Sequence, residues 1–313
     1  MEKSYFLWIT FFGYLLTDSD TYLTMHTKDN FVPERHKNWN NLDHKFCGFS
    51  WRNRIIGGTT EPFGKFPWVV RIGKMKFSRN GGHHLSFPCG GAILNRYFVL
   101  TAAHCFQNKS SLPSLVRVGE YNIKSKRTCV EDYCAPPVQD IRILEFNTPR
   151  YFIPYKVEND LALLELEKPI KFSEAVLPIC LPPFAISRSN LTGKSAVVAG
   201  WGITNIRSRK TATVLKSVTL EIVNNTWCNR YKIYHLRFPF NIICAGNEAG
   251  KDSCGGDSGG PLMLGTYEGG VSRYYIVGVV SYGPEACGET DSPGVYTYVP
   301  QFEHWLLNLL TRK

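Results

Sequence analysis

A short run near the carboxyl-terminal end of the chain, Asp252–Pro261, has the composition of a nucleophilic site. It contains Ser258, four glycines and two carboxylates. Glycines let the backbone adopt positive φ angles and let another segment approach closely. A serine on such a turn presents its hydroxyl, and the N–H groups of Gly256 and Ser258 could stabilise an oxyanion. A surface turn without chemistry is the alternative, and it is the commoner meaning of an isolated motif of this kind.

Two upstream segments contain the partners that a serine nucleophile needs. Leu100–Cys105 contains His104, and Asn159–Leu164 contains Asp160. A serine hydroxyl needs a base to take its proton, and imidazole titrates near neutral pH. A buried carboxylate would orient the imidazole and stabilise the imidazolium. The order His, Asp, Ser is one in which this arrangement recurs. The sequence therefore predicts a catalytic triad of His104, Asp160 and Ser258.

From Ile55 to its end, the sequence resembles the chymotrypsin-fold, trypsin-like serine proteases, and it matches them motif by motif. The resemblance implies an endopeptidase with an acyl-enzyme mechanism, in which Ser258 attacks, His104 transfers the proton and Asp160 orients His104. A protease homologue without activity, acting as a binding partner in a cascade, is the alternative. Such homologues usually lack a triad residue, and none is lacking here.

The resemblance also implies which residues select the substrate. Asp252, six residues before the nucleophile, matches the floor of the specificity pocket, where a carboxylate pairs with Arg or Lys. Gly283 and Gly294 match wall positions that leave room for a long cationic side chain. Ser281 and Gly283 would supply backbone contacts to an extended substrate. We therefore expect cleavage after Arg and Lys.

The run Arg54-Ile55-Ile-Gly-Gly58 matches the activation site of a zymogen in this family. The resemblance implies cleavage after Arg54 and insertion of the new Ile55 α-amino group. This group would pair with Asp257 and thereby order the Gly256 N–H. Breaking a buried ion pair costs about 3–5 kcal/mol, so the uncut chain should be nearly inactive. A strand entering a turn is the alternative meaning, but Asp257 stands directly before the nucleophile.

Ten cysteines without a CxxC pair predict disulfides in an oxidising compartment rather than a zinc site. Spacing does not determine their connectivity. The family pattern implies three pairs within the catalytic chain and a fourth that tethers the pro-segment, and it leaves one pair within its own loop. The three pairs within the catalytic chain are Cys89–Cys105, Cys228–Cys244 and Cys254–Cys287. Cys47–Cys180 is the pair that tethers the pro-segment, and Cys129–Cys134 is the pair within its own loop.

Two further features narrow the resemblance. Ala196 and Leu264 stand where vertebrate members commonly have a disulfide. Together with the Cys129–Cys134 loop, this resembles the catalytic domain of arthropod clip-domain proteases. The six-cysteine clip module itself is missing from residues 1–54.

Short runs of β-branched and aromatic residues, separated by Gly, Pro and Asn, predict an all-β protein with two barrel-like groups of antiparallel strands. The resemblance makes these two six-stranded β-barrels with the active site between them. His104 and Asp160 would come from the first barrel, and Ser258 from the second. After Pro300, apolar residues at helical spacing predict a terminal α-helix. These residues are Phe302, Trp305, Leu306 and Leu309.

The amino-terminal region indicates export. Lys3 precedes the apolar run Tyr5–Leu16, so residues 1–16 are typical of a signal peptide, although no small-x-small cleavage site follows. Residues 17–54 are polar and predict a flexible pro-segment, and residues 55–313 form the protease domain. Three sequons agree with a secreted, extracellular glycoprotein, and these are at Asn108, Asn190 and Asn224.

Charge and composition limit the partners. The net charge is +10, but the Lys and Arg are scattered and no nucleic-acid motif occurs, so we expect no nucleic-acid or membrane partner. We expect a monomer with protein substrates, an upstream trypsin-like activating protease and protein inhibitors. Glu120 begins a loop that binds calcium in some relatives, with Glu131 and Asp132 as candidate ligands. Because Lys124, Lys126 and Arg127 crowd this loop, we expect no metal and no other cofactor.

Overall fold

The computed structural model describes residues 31–50, 62–77, 82–108, 112–125, 127–130, 133–153, 158–205, 207–227, 239–248, 255–268, 271–283 and 292–313. The chain divides into two compact units, Met1–Val32 and Pro33–Lys313, and the second contains all the elements given below.

The first half of this unit is a closed antiparallel barrel with the strand order β1-β2-β3-β8-β7-β4. Its strands are β1 (Val69–Phe77), β2 (His83–Ile93), β3 (Phe98–Thr101), β4 (Leu115–Val118), β7 (Gln139–Asn147) and β8 (Ala162–Leu166). A two-stranded hairpin, β5 (Cys129–Val130) and β6 (Tyr133–Cys134), lies between β4 and β7 in the chain. Val70 and Ile72 of β1 and the apolar residues of β3 and β8 are buried, as expected for strands whose side chains fill a barrel, whereas Met75 near the end of β1 is exposed.

The second half is another closed barrel, with the order β12-β13-β16-β15-β14-β9. Its strands are β9 (Ser195–Gly200), β12 (Lys216–Val223), β13 (Ile242–Ala245), β14 (Pro261–Glu268), β15 (Val271–Tyr282) and β16 (Gly294–Tyr298). The pair β10 (Ile203–Asn205) and β11 (Lys210–Thr211) forms a separate small sheet. The two six-stranded antiparallel barrels confirm the predicted fold class.

Ala196 and Leu264 are both buried in the core of the second barrel. They belong to one apolar cluster with Val198, Leu220 and Tyr296. At these two positions, side-chain packing therefore takes the place of a covalent link between β9 and β14.

Besides the short helix α1 (Phe184–Ser187), a terminal helix follows β16. A 3₁₀ turn, Val299–Phe302, leads into α2 (Glu303–Leu309). The buried face differs slightly from the predicted one, because Leu307 and Leu310 are fully buried while Trp305 and Leu309 are only half-buried. Among the helices in the described part of the chain, none is long and apolar enough to cross a membrane.

Residues 33–50, which lie within the predicted pro-segment, contact the terminal helix in the structure, and we call them the docking segment. It forms two 3₁₀ turns, Pro33–Arg35 and Trp39–Asn41. The Nδ2 groups of Asn38 and Asn41 donate to the carbonyl oxygens of Leu307 and Leu310 at 2.8 and 2.7 Å. These bonds satisfy carbonyls that the end of a helix leaves free. The segment lacks hydrophobic periodicity, so its sequence does not indicate this conformation. The conformation comes from contacts with the rest of the unit Pro33–Lys313.

Candidate active site

His104 and Asp160 are brought together by two neighbouring strands. His104 lies in a 3₁₀ turn directly after β3, and Asp160 stands just before β8. The two strands pair with Thr101 opposite Ala162, so the flanking residues meet at one end of the barrel. Nδ1 of His104 donates to Oδ2 of Asp160 at 2.7 Å, and the backbone N–H of His104 donates to Oδ1 at 2.8 Å. The ring is therefore held with Nε2 directed away from the carboxylate.

The second barrel holds the same carboxylate. Asp160 is 2% exposed, and its Oδ2 accepts a hydrogen bond of 2.5 Å from Oγ of Ser281. Oγ1 of Thr297 donates to the backbone carbonyl of Asp160 at 2.7 Å. Ser281 lies on β15 and Thr297 on β16, so this aspartate connects the two barrels. The sequence predicted only backbone contacts for Ser281, and its side-chain bond to Asp160 was missed because nothing local in the sequence indicates it.

The pKa of His104 is raised above its ordinary value of 6.5. Burial lowers this pKa, since it disfavours the charged ring, but the hydrogen bond and the negative charge of Asp160 raise it by more. The side chain of His104 is 26% exposed, so the ring remains open to solvent on one side. The ring can therefore exchange protons with a bound substrate or with water.

The backbone of Ser258 contacts β2, close to the 3₁₀ turn that contains His104. Its carbonyl accepts from the N–H of Gly90 at 2.8 Å. The residue beside Gly90, Cys89, forms a disulfide with Cys105, which adjoins His104. Gly259, the next residue after Ser258, has φ +79°, and a Cβ there would clash with Oγ1 of Thr101. The structure thus brings the backbone of Ser258 close to the turn that carries His104.

Gly256 and Asp257 complete the described part of this loop. Gly256 has φ +102°, a conformation that favours glycine. Oδ1 of Asp257 accepts from the N–H of Gly202 at 2.8 Å. The carboxylate packs so closely on Gly200 and Gly202 that neither position has room for a Cβ. Arg54 and Ile55, the predicted activation residues, lie outside the described residues.

The predicted specificity residues are placed only in part. Asp252 lies outside the described residues. Gly294 is buried at the start of β16, where it pairs with Ala245 of β13. Among the described residues, no atom lies within 4 Å of a Cβ placed at Gly283.

Three disulfides within the described residues join the cysteines that the family pattern pairs. They are Cys47–Cys180, Cys89–Cys105 and Cys129–Cys134. Cys244 is also disulfide-bonded. Its implied partner Cys228, like Cys254 and Cys287, lies outside the described residues.

The carboxylate of Glu120, the candidate calcium ligand, is paired with two arginines. Its Oε2 lies 2.6 Å from Nη1 of Arg71 and 3.8 Å from Nη1 of Arg117. Two guanidinium groups at this carboxylate oppose a divalent cation. Glu131 and Asp132 lie outside the described residues. Elsewhere in the described part, one cluster has metal-ligand residue types, namely Cys89, His104 and Cys105, but its two sulfurs are joined to each other and are not thiolates.

Comparison with known proteins identifies the family. The model of the Trypsin family matches residues 55–306. The chain belongs to the trypsin family. This trypsin-family protein is accordingly a serine endopeptidase, a hydrolase, as the triad motifs predict.

Its relatives include arthropod clip-domain proteases, which confirms the narrower resemblance. It is 38% identical to Melanization protease 1 of Drosophila melanogaster over 280 residues, covering 84% of this chain and 67% of the relative. It is 39% identical to CLIP domain-containing serine protease HP8 of Bombyx mori over 277 residues, covering 86% and 72%. Among solved structures, the Drosophila Grass clip serine protease of the Toll pathway matches with a TM-score of 0.71 and 28% identity, covering 86% of this chain and 75% of that one.

Proposed function

We propose that this protease is made as a secreted zymogen, is activated by cleavage after Arg54, and hydrolyses peptide bonds after Arg and Lys. The observation that carries the proposal is the carboxylate of Asp160, which is buried and receives hydrogen bonds from both His104 and Ser281. A carboxylate held in this way maintains an imidazole as a general base beside a serine hydroxyl.

The proposed reaction begins with attack of the Ser258 hydroxyl on the scissile carbonyl. Nε2 of His104 takes the hydroxyl proton and then gives it to the leaving amine, which leaves an acyl-enzyme that water hydrolyses. Asp160 stabilises the imidazolium formed in each half of the reaction. The N–H groups of Gly256 and Ser258 hold the developing oxyanion, and losing one such donor costs about 10²–10³ in rate.

Activation and specificity depend on two aspartates. The Ile55 α-amino group, released by cleavage, pairs with Asp257 and fixes the loop that contains Gly256. The close packing of Asp257 on Gly200 and Gly202 supports this, because the carboxylate can move little without moving the loop. Asp252 would pair with the Arg or Lys side chain of the substrate.

Secretion and a role in a cascade rest on the cysteines and on the relatives. The disulfides favour an oxidising compartment, where the sequons at Asn108, Asn190 and Asn224 could carry glycans. The related Spaetzle-processing enzyme of Drosophila, at 34% identity, is named for processing another protein. We infer a monomeric protease with protein substrates, an activating trypsin-like protease and protein inhibitors. Residues 1–16 would serve as its signal peptide, residues 17–54 as its pro-segment and residues 55–313 as its catalytic domain.

The test is active-site labelling before and after cleavage. The protein cut after Arg54 should be labelled at Ser258 by a fluorophosphonate and should hydrolyse peptide substrates after Arg and Lys in a positional library. Arg54→Gln protein treated with the same protease should remain uncut and almost unlabelled. A cut, folded protein that is neither labelled nor active would favour the alternative of a non-catalytic homologue. Strong labelling of the uncut Arg54→Gln protein would refute the zymogen.

A further inference from the structure

A cleft of about 460 Å³ lies on the first barrel, away from the catalytic residues. Its apolar lining includes Tyr97, Ile141 and Ile170. Tyr97 is half-buried, whereas Ile141 and Ile170 are 7% and 0% exposed. Ile170 contributes no exposed surface, and the guanidinium of Arg312 lies 3.8 Å from the centre of the Tyr97 ring and covers one of its faces. The apolar surface open to a ligand therefore comes from the rest of Tyr97 and from the exposed Pro169.

The cleft is surrounded by positive charge. Four cationic residues line it, and no Asp or Glu does. They are Arg96, Lys168, Lys171 and Lys313, and all four are exposed. Within the described residues, none of them forms an ion pair with a carboxylate. Four unneutralised cations around one concave surface create a local positive potential that attracts an anionic partner.

Nearby acids do not neutralise this charge, because each faces an arginine outside the lining. Oε1 of Glu165 lies 2.7 Å from Nη1 of Arg312, and Oε2 of Glu167 lies 4.0 Å from Nε of Arg142. The positive charge of the cleft is therefore available to a partner.

The walls of the cleft are held by hydrogen bonds. Arg96 donates from Nη1 to the carbonyl of Ile170 at 3.0 Å. The amide of Gln139 donates to the carbonyl of Lys171 and accepts from its N–H, both at 2.9 Å. A preformed surface loses little conformational freedom when a ligand binds, which favours affinity.

The cleft and the proposed active site lie at opposite ends of the same strand pair. At the cleft end, the N–H of Leu166 donates to the carbonyl of Tyr97 at 2.8 Å. At the other end, Thr101 pairs with Ala162, next to His104 and Asp160. Tyr97 and Thr101 are four residues apart along this strand, which corresponds to roughly 13 Å. One extended protein substrate could therefore reach both places.

We propose that this cleft is an exosite for an acidic segment of the protein substrate, with one or more apolar side chains seated against Tyr97 and Pro169. The positive rim requires acidic residues, and the apolar lining requires hydrophobic ones. A sulfated polysaccharide or an RNA would satisfy the rim but leave the apolar surface without a partner. The inference rests on the proposed function, since it concerns the substrates of that protease.

The test uses a fluorescein-labelled acidic and apolar peptide, Glu-Glu-Phe-Glu-Glu-Leu, and its uncharged counterpart, Gln-Gln-Phe-Gln-Gln-Leu. Binding to the full chain is followed by fluorescence anisotropy. Lys168→Glu/Lys171→Glu should weaken binding of the acidic peptide by at least about tenfold, because two attractive pairs become repulsive. The matched control, Lys194→Glu/Lys216→Glu, makes the same charge change at exposed lysines of the second barrel unit and should bind like the parent.

Three results would overturn the exosite. They are no binding of the acidic peptide, equal weakening in both double variants, and tight binding of the uncharged peptide. Displacement of the acidic peptide by heparin or by RNA at lower concentration than by unlabelled peptide would instead assign the cleft to a polyanion. Hydrolysis of a short Arg peptide by the cut protein is measured in parallel and should be the same in all variants. Absence of this activity in the cut parent protein would refute the proposed function. The anisotropy measurement of peptide binding does not depend on that activity.

Discussion

Oγ of Ser281 donates a hydrogen bond of 2.5 Å to Oδ2 of Asp160, the same oxygen that accepts from Nδ1 of His104 at 2.7 Å. One carboxylate oxygen therefore holds both the proposed base, from the first barrel, and a serine from the second. The relative position of the two barrels and the electrostatics of the imidazole depend on this shared atom.

Removing the hydroxyl in Ser281→Ala should change the base itself. The negative charge of Asp160 would act more strongly on His104, so the pKa of His104 should rise further and the acid limb of kcat/KM should move to higher pH. Loss of a hydrogen bond to a charged group should also lower kcat/KM by roughly tenfold. Thr297→Val is the control, since Thr297 bonds the backbone of Asp160 and not its carboxylate. It should lower the melting temperature and leave the pH profile in place, and a shift of equal size in both variants would contradict the prediction.

The raised pKa of His104 predicts the pH dependence of the parent protein. The proposed base is neutral only above this pKa, so kcat/KM should fall as pH decreases, with a midpoint above 6.5. Asp160→Asn removes the two interactions that raise this pKa and leaves burial, which lowers it, so the midpoint should move below that of the parent. The rate should also fall by about 10⁴, because an asparagine holds the imidazole in the wrong tautomer. A midpoint unchanged in Asp160→Asn would refute this account.

The same pKa has a consequence for stability, with the opposite dependence on pH. Since the folded state favours protonated His104, its contribution to the free energy of unfolding is complete below an unfolded pKa of about 6.5. The contribution is lost as pH rises through the raised folded value. Urea unfolding of the parent and of His104→Gln between pH 5 and 9 should show this difference, and parallel curves for the two proteins would exclude it.

Gly259→Ala should inactivate the protein without unfolding it. The glycine has φ +79°, and a Cβ would clash with Thr101 and the carbonyl of Gly90, so the loop carrying Ser258 must move away from the turn of His104. A displacement of about 1 Å at reacting groups can cost about 10² in rate. Gly193→Ala is a matched control, because its φ is +80° but no atom of the described residues lies within 4 Å of the added Cβ. Fluorophosphonate labelling rates and melting temperatures of both should be compared, and equal labelling of the two would contradict the argument.

The docking segment should remain bound after cleavage even without its disulfide. Gly48 donates to Pro178 at 2.8 Å and accepts from the N–H of Tyr274 at 2.9 Å, while Arg273 donates from Nη1 to the carbonyl of His44 at 2.8 Å. Cys47→Ser/Cys180→Ser should therefore lower stability, by about 5 kcal/mol for a loop of this length in the uncut chain. Native mass spectrometry after cleavage at Arg54 should still find the two pieces together.

Adding Arg273→Ala to that variant gives the contrast. The guanidinium also lies 4.6 Å from the ring of Phe49, so its loss removes a hydrogen bond and a cation–π contact at once. The cut triple variant should release the amino-terminal piece. Dissociation already in the cut double variant would show that the disulfide alone retains the segment.

Local chemistry made several features of this protein predictable from its sequence. Serine among glycines, histidine before cysteine and an aspartate at a strand start are short motifs, and their occurrence together in the order His, Asp, Ser indicates a triad although each motif alone would not. Short runs of β-branched and aromatic residues, separated by Gly, Pro and Asn, predicted the strands, because barrel strands bury such side chains. The family pattern then related these pieces to two six-stranded barrels, which the structure confirms.

Only the tertiary structure decided the features that need two distant surfaces to meet. Ser281 reaches Asp160 because β15 of the second barrel faces the first, and no pattern near either residue encodes that approach. Residues 33–50 are ordered because the barrel unit and its terminal helix supply their hydrogen-bond partners, although the segment alone is polar and aperiodic. The charge of the cleft was likewise hidden in the sequence: scattered lysines and an arginine become one surface only when β3, β7 and the loop after β8 lie side by side.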